Sequence, residues 1–280
     1  MSPWHGQRVA LLTQHGKERV IAPVLSPALG CTVHHVGHID TDALGTFTRE
    51  VARPGSQLEA ARTKARLGMS AAGLAVGLAS EGSFGPDPIT GLFPWNVEML
   101  LWLDDRLGIE VVGIAQGPAH SGHLLSDDWA RVEQFARDHS FPSHHLVVRP
   151  HHEDDPRVTK GLSDWPALRM AFDRCAQLAP DGQVFVELDL RAFAHPTRMT
   201  RIGEAARDLL QRLQSTCPAC QRPGYWITTR TPGLPCRACL APSTQALSET
   251  WACPGCSHTE TRPCRGPALA SPQHCTRCNP

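Results

Sequence analysis

Eight of the eleven cysteines form four C-x-x-C turns within residues 217–280. A C-x-x-C turn can aim two thiolates at one tetrahedral zinc ion, and a second turn completes the site. The four turns are Cys217/Cys220, Cys236/Cys239, Cys253/Cys256 and Cys275/Cys278. The pattern therefore predicts two structural Zn²⁺ sites that together use all eight side chains.

Two pairings of these turns fit the spacing. Sequential pairing leaves 15 residues (221–235) between the first two turns and 18 residues (257–274) between the last two. Both gaps match common zinc-ribbon spacing, so we favour this pairing. A nested pairing, first turn with fourth and second with third, has an inner gap of 13 residues (240–252) and stays open. The other three cysteines, Cys31, Cys175 and Cys264, are expected to be ordinary thiols.

Basic side chains lie where a phosphate could bind. Lys17 follows the apolar run RVALLT (8–13) and a small turn, at the start of a predicted helix. Backbone N–H groups and a cation at such a helix start suit a phosphate. Arg62 and Lys64 lie on a second helix, which the capping box Ser56-Gln57-Leu58-Glu59 predicts. We predict phosphate contacts from Lys17, Arg62 and Lys64, with a solvated helix face as the alternative for the last two.

Carboxylates end two other apolar runs. Glu81 follows LAVGLA (74–79) and precedes a loop of glycine and proline that leaves room for a ligand. A catalytic role and a structural ion pair are equally open for Glu81. Glu187 and Asp189 stand two residues apart in ELDLR, so they point to one side of a strand, where they could share Mg²⁺ or pair with arginines. We predict Glu81, Glu187 and Asp189 as catalytic carboxylates.

Histidines mark two further positions. The turn GPAHSGHL (117–124) contains His120 and His123, which we interpret as a candidate element of the site rim. His195 and Arg198 precede or begin the last predicted helix, and we expect them to cap it.

Strand and helix patterns alternate through residues 1–216, which indicates an α/β fold. We predict a layered, mostly parallel or mixed sheet with flanking helices, followed by a small double zinc-ribbon module. The predicted divisions are an α/β domain at 1–197, a linking helix at 198–216 and the double ribbon at 217–280. GYWIT and ETWA are expected to form short strands in the ribbons.

Charge is balanced over the chain but uneven along it, with 27 basic and 27 acidic residues. Residues 217–280 contain six arginines and two acids, a net charge of +4, so residues 1–216 carry −4. This asymmetry, with Tyr225, Trp226 and Trp251, suits a tail that binds nucleic acid or a protein partner. The first residues lack the features of a signal peptide, and no apolar stretch has membrane-spanning length. We expect a soluble, cytoplasmic protein with no membrane partner.

The chain resembles an uncharacterised bacterial family catalogued only as a domain of unknown function, and this resemblance implies no known activity. It extends over nearly the whole sequence. The stretches that carry it are HGKERVIAP, GTFTRE, GSQLEAARTKARLGM, ASEGSFGPDP, FPWNVE, AQGPAHSGHL, LDLRAFAHPTRM and the closing CNP.

A remoter resemblance links residues 8–115 to the inosine/xanthosine triphosphate pyrophosphatases. The matching positions are Lys17, the run Ala61–Ala65 (ARTKA) and Glu81-Gly82. Gln14 stands where those enzymes have an asparagine in the phosphate-binding loop. The ELDLR segment and the cysteine-rich tail have no counterpart there.

These observations favour a Mg²⁺-dependent hydrolase of a nucleotide or another phosphorylated small molecule, with a structural zinc-ribbon tail. Lys17, Arg62 and Lys64 would hold the phosphate, while Glu81 with Glu187 or Asp189 would hold the metal and activate water. The alternative is a non-catalytic adaptor whose ribbons bind nucleic acid or a protein partner.

Overall fold

The structure, a computed structural model, describes residues 2–37, 39 and 55–280, so the stretch GTFTRE (45–50) lies outside the described residues. The chain divides into two compact units. The α/β unit comprises Met1–Leu103 and Val112–Leu210, and the cysteine-rich unit comprises Asp104–Val111 and Gln211–Pro280. An α/β fold with four-cysteine clusters near the C-terminus confirms the predicted fold class.

A five-stranded sheet begins the α/β unit. Its strands lie in the order β2-β1-β3-β4-β5. β1 runs parallel to both of its neighbours, with Ala10 opposite His34 on β2 and opposite Gly77 on β3. The strand bounds are β1 (Arg8–Leu12), β2 (Thr32–Val36), β3 (Val76–Pro86), β4 (Pro94–Asp104) and β5 (Ile109–Pro118). The parallel neighbours place the chain segments that follow β1 at the same sheet edge as the later part of β3.

Two helices join the first three strands. α1 (Glu18–Leu29) ends at Gly30, whose φ of 66° is the left-handed conformation that glycine adopts readily. α2 (Gln57–Ala72) begins with the predicted capping box: the Ser56 side chain and the Glu59 side chain each accept a backbone N–H bond from the other residue. Alanines of α2 pack on the sheet in a cluster whose buried members are Ala61, Ala65, Met69, Ala79, Leu101 and Leu103. Small side chains on this helix face let it approach β3 closely.

A second, antiparallel sheet completes the α/β unit, in the strand order β6-β9-β7-β8. Its strands are β6 (His123–Ser126), β7 (Leu146–Pro150), β8 (Thr159–Leu162) and β9 (Val184–Leu188). The helices α3 (Trp129–Asp138) and α4 (Trp165–Leu178) cover one face, where their apolar side chains pack with alternate residues of the strands. The sequence did not predict β6 and β8, which have four residues each, because such short segments carry almost no periodic signal.

The last helix and three antiparallel strands follow. α5 spans Pro196–Gln214, and the boundary between the two compact units falls within it, after Leu210. The cysteine-rich unit contains a three-stranded antiparallel sheet of β10 (Trp226–Pro232), β11 (Ala246–Ala252) and β12 (Thr259–Pro263). The first two strands were predicted, whereas β12, with the polar sequence TETRP, was not. In the described part of the chain, no helix combines the length and the apolarity needed to cross a bilayer.

Candidate functional site

Lys17, Lys64 and Glu81 meet where β1 ends beside the middle of its parallel neighbour β3. Lys17 lies between β1 and α1, Glu81 lies on β3, and Lys64 reaches β3 from α2. In open α/β sheets, ligands bind at the carboxyl ends of parallel strands. The sequence predicted all three residues as site residues, and the structure places them at one edge of one sheet. We call this group the lysine–glutamate cluster.

Glu81 is buried and paired with a lysine. Its carboxylate Oε1 lies 2.5 Å from Lys64 Nζ, and only 3% of the Glu81 side chain is exposed. Its backbone carbonyl accepts a bond from Gln57 Nε2 at 2.8 Å, and Gln57 Oε1 accepts a bond from Ser83 Oγ. Polar side chains of α2 therefore bind both the carboxylate and the backbone carbonyl of Glu81.

Lys17 is also buried, and its ammonium donates to the backbone carbonyl of Ser80 at 2.7 Å. Burial lowers the pKa of Lys17 to about 8, and the positive charges of Arg198 and Lys64 act in the same direction. The carboxylates of Glu81 and Glu98 oppose this effect. The charged form of Lys17 is therefore less stable in the protein interior than in water, and a nearby anion would stabilise it.

Glu98 and Arg198 form a second buried ion pair, which lies against β3. Arg198 Nε and Nη2 donate to the two carboxylate oxygens of Glu98 at 2.6 and 3.1 Å, and neither residue is more than 1% exposed. Burial acts to raise the pKa of Glu98, but Arg198, aided by Lys17 and Asn96, holds it below its ordinary value. Glu98 was not among the predicted site residues. A carboxylate inside the apolar run WNVEMLLWL was the signal that could have found it.

Arg198 was expected to cap the last helix, but its side chain pairs with Glu98 instead. His195 does take a capping position, since its Nδ1 accepts the backbone N–H of Arg198. The same ring bonds through Nε2 to the carbonyl of His120 at 2.8 Å.

The Glu98–Arg198 pair explains the glycine after Glu81. A Cβ atom on Gly82 would meet the two Glu98 carboxylate oxygens at 2.7 Å and would collide with Arg198 Nη2. The prediction that a strand ends at Glu81 was wrong, because β3 continues to Pro86. Gly82 is a residue of that strand, and it lets a buried ion pair approach the backbone.

Glu187 lies on β9 of the second sheet and Asp189 directly follows that strand, whereas Glu81 lies on β3 of the first sheet. Glu187 is on β9 and pairs with Arg149, whose Nη2 lies 3.1 Å from Oε1. Asp189 is fully buried and accepts bonds from the Arg191 side chain and from the backbone N–H of Gly161. Within residues 2–37, 39 and 55–280, the predicted catalytic carboxylates do not form a group whose oxygens lie within 4.8 Å of one another. Arg62, the third predicted phosphate contact, is an exposed residue of α2.

The eight predicted zinc ligands form two clusters in the cysteine-rich unit. Cys217, Cys220, Cys253 and Cys256 make one cluster, and Cys236, Cys239, Cys275 and Cys278 make the other. Four thiolates around Zn²⁺ at about 2.3 Å lie roughly 3.8 Å apart. The Sγ–Sγ distances are 3.8 and 3.6 Å in the first cluster and 3.9 and 3.6 Å in the second. Both donor sets therefore fit a structural zinc ion.

The predicted pairing of the turns was wrong. The first turn joins the third and the second joins the fourth, an interleaved arrangement that neither the sequential nor the nested pairing describes. The cause is the antiparallel pairing of β10 with β11, in which Trp226 lies opposite Ala252. The first turn precedes β10 and the third follows β11, so the hairpin brings these two turns to one end. The second turn lies in the connection between the two strands.

Other features of the unit support a structural role for the metal. Backbone N–H groups of Ala238 and Gly255 point at Cys236 Sγ and Cys253 Sγ, at 3.4 and 3.3 Å. A backbone N–H donor to sulfur favours the thiolate form that zinc requires. Cys264 belongs to neither cluster.

Arginines cover the aromatic rings that the sequence analysis considered for nucleic-acid stacking. The Arg212 guanidinium carbon lies 5.5 Å from the centroid of Trp226, and that of Arg262 lies 5.0 Å from the centroid of Trp251. Tyr225 is buried against the first cysteine cluster. These contacts give the aromatic residues an internal packing role.

Comparison with known proteins gives a family match and nothing further. Residues 64–280 match a family described as a domain of unknown function, DUF6671. No curated protein and no solved structure matches the chain, so the resemblance to the inosine/xanthosine triphosphate pyrophosphatases is not shown.

Proposed function

This chain belongs to the DUF6671 family, described as a domain of unknown function, and we propose that its α/β unit hydrolyses a nucleotide or another phosphorylated small molecule. The observation that carries the proposal is the lysine–glutamate cluster, in which two amines and a carboxylate converge at the edge shared by parallel strands. In this proposal the cysteine-rich unit is a structural zinc module.

The charge of the site supports a phosphorylated substrate. Lys17, Lys64 and Arg198 are cationic, and the carboxylates of Glu81 and Glu98 neutralise two of these three charges. One positive charge therefore remains in a largely buried setting, where an anion gains more than it would in water. The lowered pKa of Lys17 also supports an anionic ligand, because a phosphate beside the ammonium would stabilise its charged form.

The Lys64–Glu81 pair would exchange partners when substrate binds. A phosphate oxygen would compete for the Lys64 ammonium and release Glu81. Glu81 would then accept a proton from the water that attacks phosphorus, while the P–O bond to the leaving group breaks and its electron pair stays on the leaving oxygen. Lys17 stays beside Ser80 and neutralises charge that develops on the phosphate. Each of these roles uses a side chain of the lysine–glutamate cluster.

The carboxylates of the α/β unit differ in how well they would hold Mg²⁺. Glu98 fits poorly because both of its oxygens accept bonds from Arg198, and Asp189 is held by Arg191 and Gly161. Glu81 fits better, since its partner is the long and flexible side chain of Lys64. When bound, the ion would neutralise the phosphate oxygens.

The test is a screen of nucleoside triphosphates and phosphorylated metabolites for release of phosphate or pyrophosphate, with and without Mg²⁺. We expect turnover by the wild type and none by Glu81→Gln. Glu133→Gln, a change on α3 where Glu133 pairs with Arg137, is the matched control and should retain activity. Absence of wild-type turnover on the whole panel would refute the proposal and leave the non-catalytic adaptor, which salt-dependent nucleic-acid binding would then test.

A further inference from the structure

The loop between β3 and β4 presents three large apolar side chains to solvent. Ile89, Leu92 and Phe93 are 89%, 79% and 63% exposed. β3 ends at Pro86 and β4 begins at Pro94, and we call residues 87–93 between them the hairpin tip. A large side chain has about 150–250 Å² of surface, so these three leave roughly 400 Å² uncovered. A patch of that size is among the larger ones on a typical monomeric protein, and such patches commonly mark interaction sites.

Hydrogen bonds within the hairpin tip fix its conformation. The Asp87 carboxylate accepts the backbone N–H groups of Ile89, Thr90, Leu92 and Phe93, at 3.1, 2.7, 2.9 and 3.0 Å. The backbone N–H of Asp87 donates in turn to the carbonyl of Phe93 at 2.8 Å. The loop backbone is therefore held by its own bonds, and its apolar side chains stay available to a partner.

A cavity of about 470 Å³ adjoins the hairpin tip, within the α/β unit. Its lining includes Phe84, Pro94, Ser121, Leu188 and Leu190, and we call it the Phe84 cavity. Pro94 directly follows the hairpin tip, so the tip and the cavity are neighbours on the surface. A cavity of about 150 Å³ can hold a benzene molecule, so the Phe84 cavity is large enough for more than one apolar side chain of the tip.

The polar part of the cavity lining does not oppose an apolar occupant. This part includes His123 and Glu187. Glu187 pairs with Arg149, and their side chains are only 16% and 3% exposed. An apolar side chain placed over this pair would remove little further water, because the cost of burying both charges is already met in the folded chain.

The charge of the hairpin tip favours a second copy of the chain over a lipid surface. Residues 82–97 contain one charged residue, Asp87, and its carboxylate is bound within the tip. Two tips can therefore approach each other without repulsion between like charges. Segments that bind lipid surfaces commonly carry lysine or arginine, which residues 82–97 lack.

We propose that two copies of this chain associate about a two-fold axis, with the hairpin tip of each copy in the Phe84 cavity of the other. In a two-fold interface the same patch meets itself, so the patch must contain a protrusion and its complement. The adjoining tip and cavity meet this condition. Each copy would bury roughly 400 Å² of tip and a similar area of cavity wall, which together approach the ~800 Å² per partner of a stable interface. Such a dimer would form whether or not the α/β unit is a hydrolase.

Sedimentation velocity on the full chain tests this, at about 1–100 μM, a range that brackets micromolar dissociation constants. We expect the wild type to reach twice the mass of one chain. Leu92→Ser/Phe93→Ser should dimerise about 100-fold more weakly, because each copy loses two buried anchors. Met170→Ser, which changes a 72% exposed apolar side chain on α4, is the matched control and should dimerise like the wild type.

Ser121→Trp tests the cavity, since it fills the cavity and leaves the hairpin tip unchanged. This variant should also be monomeric, with the thermal unfolding and circular dichroism of the wild type. A wild type that stays monomeric at every concentration overturns the inference, and so does a dimer that survives in either folded variant. Monomeric wild type that binds phosphatidylglycerol vesicles through Leu92 and Phe93 would instead assign the tip to a lipid surface and would also overturn it.

Discussion

Lys64 of α2 and Glu81 of β3 form a 2.5 Å ion pair in which 14% of the lysine side chain and 3% of the glutamate side chain are exposed. Breaking a buried pair leaves one charge without its partner, which costs more than the pair itself contributes. A change at Glu81 is therefore expected to alter both catalytic activity and the stability of the sheet. Both quantities must be measured on the same variants.

Glu81→Gln should abolish turnover and also lower the free energy of unfolding by about 1–3 kcal/mol, because Lys64 loses its partner. The double variant Lys64→Met/Glu81→Gln should recover most of that stability without recovering activity. Denaturant unfolding and phosphate release on the same preparations measure both quantities. An active double variant would show that the pair is structural only.

Gly82→Ala should destabilise the protein by about 1–3 kcal/mol, since the new methyl group overlaps Glu98 and Arg198. Gly85→Ala is the matched control on the same strand, because a Cβ atom there meets nothing within 4 Å. Urea unfolding curves of the two variants give the comparison. Equal stability of the two variants would mean that Glu98 and Arg198 leave room for a methyl group at Gly82.

The Glu98–Arg198 pair should make stability fall in acid. The pKa of Glu98 is lower in the folded chain than its ordinary value of 4.5, so its contribution is present above about pH 4.5 and is lost as the pH falls through the folded value. Arg198→Met should reverse the sign of this contribution, because an unpaired buried carboxylate is stabilised by protonation. Stability of wild type and variant from pH 3 to 7, followed by circular dichroism, tests this.

The interleaved zinc sites predict an unusual pattern of metal loss. Wild type should hold two zinc ions, and Cys264→Ser should not change that number. The double variant Cys217→Ser/Cys253→Ser should lose one ion, because both cysteines belong to one cluster. Cys217→Ser/Cys236→Ser should lose both ions, whereas sequential pairing would predict the loss of one. Elemental analysis of purified protein decides between them.

Local patterns predicted much of the α/β unit. The capping box at Ser56 located the start of α2, the apolar runs RVALLT and LAVGLA located β1 and β3, and ELDLR located β9. Lys17, Lys64 and Glu81 were found because each lies next to such an element. These features depend on short stretches of chain, which is where sequence patterns carry most information.

Contacts between distant residues escaped prediction. Glu98 and Arg198 are 100 residues apart, and neither one alone indicates the other. For Glu187 and Asp189 the sequence left shared Mg²⁺ and pairing with arginines open, and the structure pairs them with Arg149 and Arg191. The pairing of the cysteine turns failed for the same reason, since gap lengths say nothing about which strands form a hairpin.

Overlap between the two cysteine clusters links their assembly through the entropy of the chain. The first cluster closes the segment 217–256 and the second closes 236–278, so residues 236–256 belong to both loops. Closing either loop shortens the free path that the other must close, which lowers the entropic cost of the second closure. Binding of the first metal should therefore favour binding of the second by about 0.2–0.3 kcal/mol, a coupling weak enough for one site to stay filled when the other is disrupted. A cut anywhere within the shared segment would open both loops and weaken both sites.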